Sequence, residues 1–321
     1  MAEAQIENQI INSAIDFILS HLEGGISVDD VAEVCGFSKF YLNRLFKAET
    51  GESIYAFIKR LKVEQSAFRL KVEKERSITE IGSDYGYSPS NYATVFSKHF
   101  QKNPASFRKE IVEKSVFHPF YHGVKNKIET YEQVCRHITI ETLPDFFVLY
   151  ERHKGDYHNL SSDWCTFTER YKDFITDKTL FLERTFDDPS ITKSDSCMYD
   201  ICLTVDKNDP RLKTQCRLSG GTCGGVSGGI SGAGFGAGAS AKNADTGTDF
   251  MPSTAVIPGG KFAVYHYKGF PQQIYAAYQS FFCRWLSETG NRLDDRSAFD
   301  IYRKIDCKSM YMELEICFPI V

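Results

Sequence analysis

The chain has 321 residues, enough for two domains at about 100–200 residues each. A hydrophobic fraction of 42% and a charged fraction of 25% are ordinary globular values and exclude wholesale disorder. The net charge of −4 excludes a uniformly basic nucleic-acid coat but leaves room for a local basic face. With no run of about 18 apolar residues, no membrane-spanning helix is expected. Ten cysteines without a CxxC pair, and no secretory leader, give the expectation of reduced thiols in a cytoplasmic protein.

The first 115 residues carry an internal repeat at an offset of 50. Ser27, Val28 and Val31 match Ser77, Ile78 and Ile81. Gly36-Phe37-Ser38 matches Gly86-Tyr87-Ser88, and Phe57 matches Phe107. Each copy opens with a serine and a carboxylate three residues on (Asp30, Glu80), a capping-box spacing. Gly36 and Gly86 fall where a short helix must stop and turn through positive φ, and Ser38 and Ser88 start the next helix. Pro89 stands at the first position of the latter, where its missing N–H costs nothing. The spacing of Ile54, Phe57, Ile58, Leu61 and Phe68 predicts one long helix, Ser53 to Glu75, between the copies. Positive charge concentrates here too: residues 37–76 hold ten basic and five acidic groups, and residues 86–115 hold five and two.

Two helix–turn–helix units, a linking helix and a closing Asn103-Pro104-Ala105-Ser106-Phe107-Arg108 segment resemble the DNA-binding domain of the AraC/XylS family of bacterial transcription regulators, over residues ~8–112. The resemblance implies that the second helix of each unit enters the major groove. In the first unit, Lys39 to Ala48, it leaves Lys39, Phe40, Asn43, Arg44 and Lys47 outward, with Phe37, Leu42, Leu45 and Phe46 packed inward. Arg44 can donate a fork to guanine, and Asn43 can pair with adenine or reach a phosphate. Phe40 either touches thymine methyls or sugar, or belongs to the core. In the second unit Ser90, Asn91 and Thr94 would face bases, with Lys98 nearer the backbone. The turn before this helix looks one residue short, and Thr94 stands where many relatives place an arginine. More reliance on phosphate contacts from Lys98, Lys102 and Arg108 is therefore expected.

Phe117 to about Arg136 reads as a connector; His118 and His122 lack a third ligand, and no metal or cofactor is expected. A second repeat follows at an offset of 114–115. Pro144 matches Pro258, Lys154-Gly155 matches Lys268-Gly269, and Tyr199-Asp200-Ile201-Cys202 matches Leu314-Glu315-Ile316-Cys317. Each copy reads as strand, amphipathic helix, strand, strand, which gives an antiparallel sheet with helices on one face and a pseudo-two-fold axis. Between the copies lies a glycine-rich insertion, residues 219–249, whose composition fits a tether. The expected class is α+β: an all-α double helix-turn-helix domain (1–115), a linker (116–134) and an α+β antiparallel-sheet domain with pseudo-two-fold repeat (135–321).

The second half resembles the GyrI-like effector-binding domain. The residues that carry it are Ile257-Pro258-Gly259-Gly260-Lys261-Phe262, Trp285-Leu286, Phe299-Asp300-Ile301-Tyr302 and the terminal Glu315-Ile316-Cys317-Phe318-Pro319-Ile320. In the last strand Leu314, Ile316 and Phe318 share one face and Glu313, Glu315 and Cys317 the other. The resemblance implies that Glu315 lies in a cleft between the repeats and meets a cationic or aromatic effector, with Tyr150, Tyr157, Trp164, Tyr265, Tyr267 and Trp285 as candidate walls. Each wall residue could equally be core. Glu315 could instead be a solvent-facing strand residue, and its repeat mate Asp200 is open in the same way.

The whole then reads as a regulator, an activator by resemblance. Its expected partners are promoter DNA, a small effector and RNA polymerase, with no membrane. The alternatives are a hydrolase in which Glu315 activates water, and a protein-binding module with a closed cleft.

Overall fold

The protein is described by a computed structural model that covers residues 2–116, 128–213, 253–306, 309 and 311–321. His118, His122 and the glycine-rich stretch lie outside the described residues. The chain divides into two compact units, residues 1–60 with 207–253, and residues 61–206 with 254–321.

The first unit contains α1 (Ala2–Ser20), α2 (Val28–Cys35), α3 (Lys39–Thr50) and the beginning of α4 (Ile54–Val72). Ser27 Oγ accepts from the Asp30 N–H at 3.2 Å, while the Asp30 carboxylate accepts from the Ser27 N–H at 2.8 Å, so both orphan donors at this helix start are satisfied. Gly36, at φ 73°, ends α2, a conformation that penalises any Cβ. Ile11, Ile15, Ile18, Val31, Leu42, Phe46 and Phe57 are buried as its core.

The second helix-turn-helix opens the other unit, with α5 (Ile78–Asp84), α6 (Pro89–Phe100) and α7 (Pro104–Val116). Its turn is not short. Gly86 to Ser88 spans the same number of residues as Gly36 to Ser38, and Tyr87 N–H reaches Gly82 O at 3.0 Å just as Phe37 N–H reaches Ala32 O at 3.0 Å. The cores differ by a size exchange. At the matching positions the first unit has Ala32 and Leu42, both buried, whereas the second has Gly82 and Tyr92, and a Cβ on Gly82 would stand 2.7 Å from the Tyr92 ring. Tyr92 in turn donates to Ser66 Oγ at 3.0 Å, which fixes the ring. Gly82→Ala is thus expected to lower stability. Overpacking costs about 1–3 kcal/mol, of which better helix propensity offsets about 1. Thermal melting checks this, and Gly82→Ala with Tyr92→Leu, the first unit's pairing, should recover most of the loss.

The remainder is an α+β domain around one eight-stranded antiparallel sheet in the order β1-β6-β8-β7-β3-β4-β2-β5. The first repeat supplies β1 (Ile138–Leu143), β2 (Phe146–Lys154), the helix α9 (Leu160–Arg170), β3 (Phe181–Thr185) and β4 (Met198–Thr204). The second supplies β5 (Ser253–Ile257), β6 (Gly260–Gly269), α11 (Pro271–Ser280), β7 (Phe299–Asp306) and β8 (Tyr311–Pro319). The short helices α8 (Tyr131–Cys135) and α10 (Pro210–Lys213) precede β1 and follow β4. Each repeat holds one more strand than its sequence suggests, and those extra strands are exchanged: β1 pairs with β6 and β5 with β2. The two repeats meet at the sheet centre, where β3 pairs with β7.

Alternation sorts the two faces. Leu314, Ile316 and Phe318 pack with Phe281, Phe282 and Trp285 of α11 and its π-helical extension Phe281–Leu286. Cys317 goes to the opposite face with Val148, Tyr150, Leu182, Cys202, Phe262 and Phe299, where the curled sheet packs on itself.

Candidate functional site

On α3 the side chains divide as a helix buried on one side must. Leu42 and Phe46 are fully buried, while Lys39, Phe40, Arg44 and Lys47 are exposed. Phe40 is 80% exposed, so its alternative as a core residue falls away. Its neighbour Lys39 lies 5.9 Å above its ring and 3.1 Å from Asp29. Arg44 stacks its guanidinium 5.6 Å from the Tyr41 ring. Asn43 is placed differently from the expectation of a base reader: its carboxamide oxygen accepts from the Ile54 N–H at 3.0 Å and so caps α4.

On α6, Ser90, Asn91, Thr94 and Lys98 are all exposed, while Tyr92 and Phe96 form the buried side. Thr94 Oγ1 donates to its own helix at Ser90 O, 2.9 Å away. Lys102 is held by Glu110, and Arg108 is half-buried, its neighbour Tyr92 offsetting part of a pKa lowered by burial.

The effector-domain residues separate more sharply. Glu315 does not open toward the helices. It lies on the face opposite to Leu314 and Ile316 and pairs with Arg303 at 2.7 Å. Its repeat mate Asp200 is fully buried on that same face, between Arg152, which donates to it at 2.8 and 2.9 Å, and Arg184. Of the expected walls, Tyr150 is buried on this face against Arg152 and Arg184. Tyr265 and Tyr267 face the helices but are core, with hydroxyls donated to Glu129 and to Phe270 O. Trp285 is core as well, stacked on Phe281.

Tyr157 and Trp164 remain, and they lie near a feature missed in the sequence. Along one row of the helix-bearing face run Ile201, Glu183, Asp300 and Ile316, directly opposed on β4, β3, β7 and β8. Glu183 and Asp300 sit at the junction of the repeats, 4% and 3% exposed. Tyr302 donates to Glu183 at 2.6 Å and Tyr278 of α11 donates to Asp300 at 2.6 Å. The buried Trp164 indole N–H bears on Glu183 without reaching hydrogen-bond geometry, and its ring lies 5.4 Å from that of Tyr302. Tyr157 stacks on Tyr199, whose hydroxyl donates to Asp163 at 2.5 Å. Burial raises both carboxyls above the usual carboxylate range, and Glu183 raises Asp300 further, while the tyrosine hydroxyls pull the other way. The signal in the sequence was a pair of acids 117 residues apart, Glu183 after Leu182 and Asp300 between Phe299 and Ile301.

The strand that carries Glu183 continues through Phe186 into a loop that grips the second half of α4. Lys71, buried, reaches Asp188 at 2.6 Å, and Asp188 also accepts from Ser190 and Tyr275. Gln65 donates to Phe186 O at 2.9 Å, Thr192 donates to Glu64 at 3.2 Å, and Phe68 meets Phe282 edge-on at 4.9 Å.

Residues 31–110 match a helix-turn-helix domain family, and residues 136–321 match the GyrI-like small molecule binding domain. SoxS of Salmonella typhimurium strain LT2 is 32% identical over 104 residues, 32% of this chain and 96% of SoxS. The chain belongs to the AraC/XylS family of transcription regulators. This AraC/XylS regulator is also similar to the multiple antibiotic resistance protein MarA of Escherichia coli strain K12, 33% identical over 35% of this chain and 90% of MarA. The Salmonella transcriptional regulator Rob is 34% identical over 31% of this chain and 35% of Rob. These three matches cover 31–35% of this chain, and its GyrI-like domain spans residues 136–321. No helix among the described residues is long and apolar enough to cross a membrane.

Proposed function

We propose that this regulator reads a promoter through α3 and α6 and answers to a small aromatic cation bound over Glu183 and Asp300. Lys39, Phe40, Arg44 and Lys47 on α3, and Ser90, Asn91, Thr94 and Lys98 on α6, form the DNA-facing set, with Asn43 holding α3 to α4. Activation through RNA polymerase in the cytoplasm follows the family. The observation that carries the effector reading is the buried acid pair without an ion-pair partner among the described residues, under Trp164, Tyr302 and Tyr278. A cation gains strongly from such carboxylates, and ring faces add about 0.5–2 kcal/mol. The grip of residues 186–192 on α4 offers the route from that cleft to the DNA-binding helices.

For DNA, Arg44→Ala is expected to lose about 1–3 kcal/mol at one base position, and Lys98→Ala to lower affinity evenly across sequences. Phe40→Ala should weaken DNA binding with no loss of melting temperature, because the ring is exposed. Equal losses for Arg44→Ala on cognate and random duplexes would remove it from base reading.

For the effector, Glu183→Gln should weaken binding of an aromatic quaternary ammonium about ten- to a hundredfold, the worth of a charged hydrogen bond or ion contact. Glu315→Gln should leave that affinity unchanged, since Glu315 answers to Arg303 on the other face.

A further inference from the structure

We infer that Glu183 and Asp300 form a proton–cation exchange site, in which an aromatic cation enters by displacing one proton for each positive charge it carries, up to two. The inference rests on the effector reading above and adds to it a coupling to protons and its stoichiometry.

The sheet buries three carboxylates and treats them differently. Asp200 is neutralised by two arginines, with Arg152 and Arg184 opposite it on the flanking strands. Glu183 and Asp300 are as deeply buried and face each other across β3 and β7, so their Cβ atoms stand about 4.5–5.5 Å apart. Isoleucines 201 and 316 close the row on either side. The groups facing the pair are neutral: Trp164 from α9, Tyr278 from α11, Tyr302 from β7, Tyr199 from β4 and Tyr157 from the turn before α9. Asp163 is engaged by Tyr199 and His153, and Glu151, two strands away on the same row, is held by Arg170. Cys202 and Cys317 lie on the opposite face of the sheet.

Two like charges in such surroundings are resolved by protonation: burial raises both acids, and the facing Glu183 raises Asp300 further. The resting site is then neutral below the pair's titration. When a monocation docks, one carboxyl O–H bond breaks, its proton passes to solvent, and the carboxylate left behind balances the ligand. A dication draws off both protons and again leaves the site neutral. Neutral aromatics release none and forgo the ion contact.

The test uses the full chain and two isosteric probes that do not themselves titrate, N-methyl-phenylpyridinium with one charge and dimethyl-bipyridinium with two. Calorimetry at about pH 6, in buffers of different ionisation heat, counts protons released by linkage. About one proton is expected for the monocation and about two for the dication. Affinity should rise about tenfold and about a hundredfold per pH unit, respectively. Asp300→Asn should keep the first proton and lose the second, and Glu183→Gln with Asp300→Asn should release none. Binding of both probes without proton release, or with affinity flat in pH, overturns the exchange while the effector cleft stands. If neither probe binds at any pH, the effector reading falls and takes the exchange with it. Because the wild-type pH profile decides the matter, a poorly folded variant does not blunt the test.

Discussion

Asp200→Ala is expected to destabilise the sheet domain by about 3–5 kcal/mol, the cost of leaving buried charge uncompensated. For a unit of this size that corresponds to a fall in melting temperature of roughly 6–20 °C. The reason is geometric. Arg152, Asp200 and Arg184 stand directly opposite one another on β2, β4 and β3, and the alanine removes the buried acceptor that the two guanidinium groups share. Replacing all three with apolar residues of similar volume should recover most of the loss, as it does for buried ion triads generally. The repeat mate gives the control. Arg303 is 44% exposed, so Glu315→Ala should cost less than about 1 kcal/mol. A melting series in which both alanine variants fell equally would contradict this division.

Lys71→Met should cost a similar 3–5 kcal/mol near neutral pH, because it leaves Asp188 buried with hydroxyl and amide donors alone. Burial pushes the Asp188 carboxyl up, but Lys71 and Ser190 more than offset this and hold it below its ordinary value. A depressed folded pKa means that this stabilisation is present above the unfolded value of about 3.9 and is lost as pH falls through the folded value. The variant has no such stabilisation to lose, and acid neutralises its stranded carboxyl. The gap between wild type and Lys71→Met should therefore be widest near pH 7 and narrow on acidification. Denaturant titrations at several pH values measure it. In the same variant, effector should change DNA affinity less than in wild type, since the loop that leaves β3 keeps its Gln65 and Glu64 contacts to α4 but holds it more weakly. An unchanged effector response would separate this ion pair from signalling and leave it as packing alone.

The helix-turn-helix half was legible because its signals are local. Serine caps, a carboxylate three residues on and a glycine at positive φ lie within ten residues of each other, and all recur at a constant offset. What the sequence hid in this half was the second role of Asn43, since a cap on α4 depends on where the chain returns eleven residues later. In the sheet half the α+β class and the repeat were legible, and the alternation in the last strand held residue by residue. Glu315 lies on the side of the sheet turned away from the helices, as alternation in its strand already had it. Glu183 and Asp300 stayed hidden because their pairing joins strands far apart in sequence. The repeat offset also shifts from 114 near Pro144 to 117 at the acids and back to 115 at Asp200, so self-comparison loses register where the acids lie. The exchange of β1 and β5 is non-local in the same way.

That exchange bears on ancestry. One repeat folded by itself would own a strand with no place to dock and an edge with nothing to cover it. Two identical copies would satisfy both needs by trading strands, which is a homodimer with a two-fold axis between its third strands. Gene duplication and fusion turn that dimer into a single polypeptide, and once fused the copies are free to diverge. The acids at the axis differ between the copies: one is a glutamate and the other an aspartate, each held by a different tyrosine.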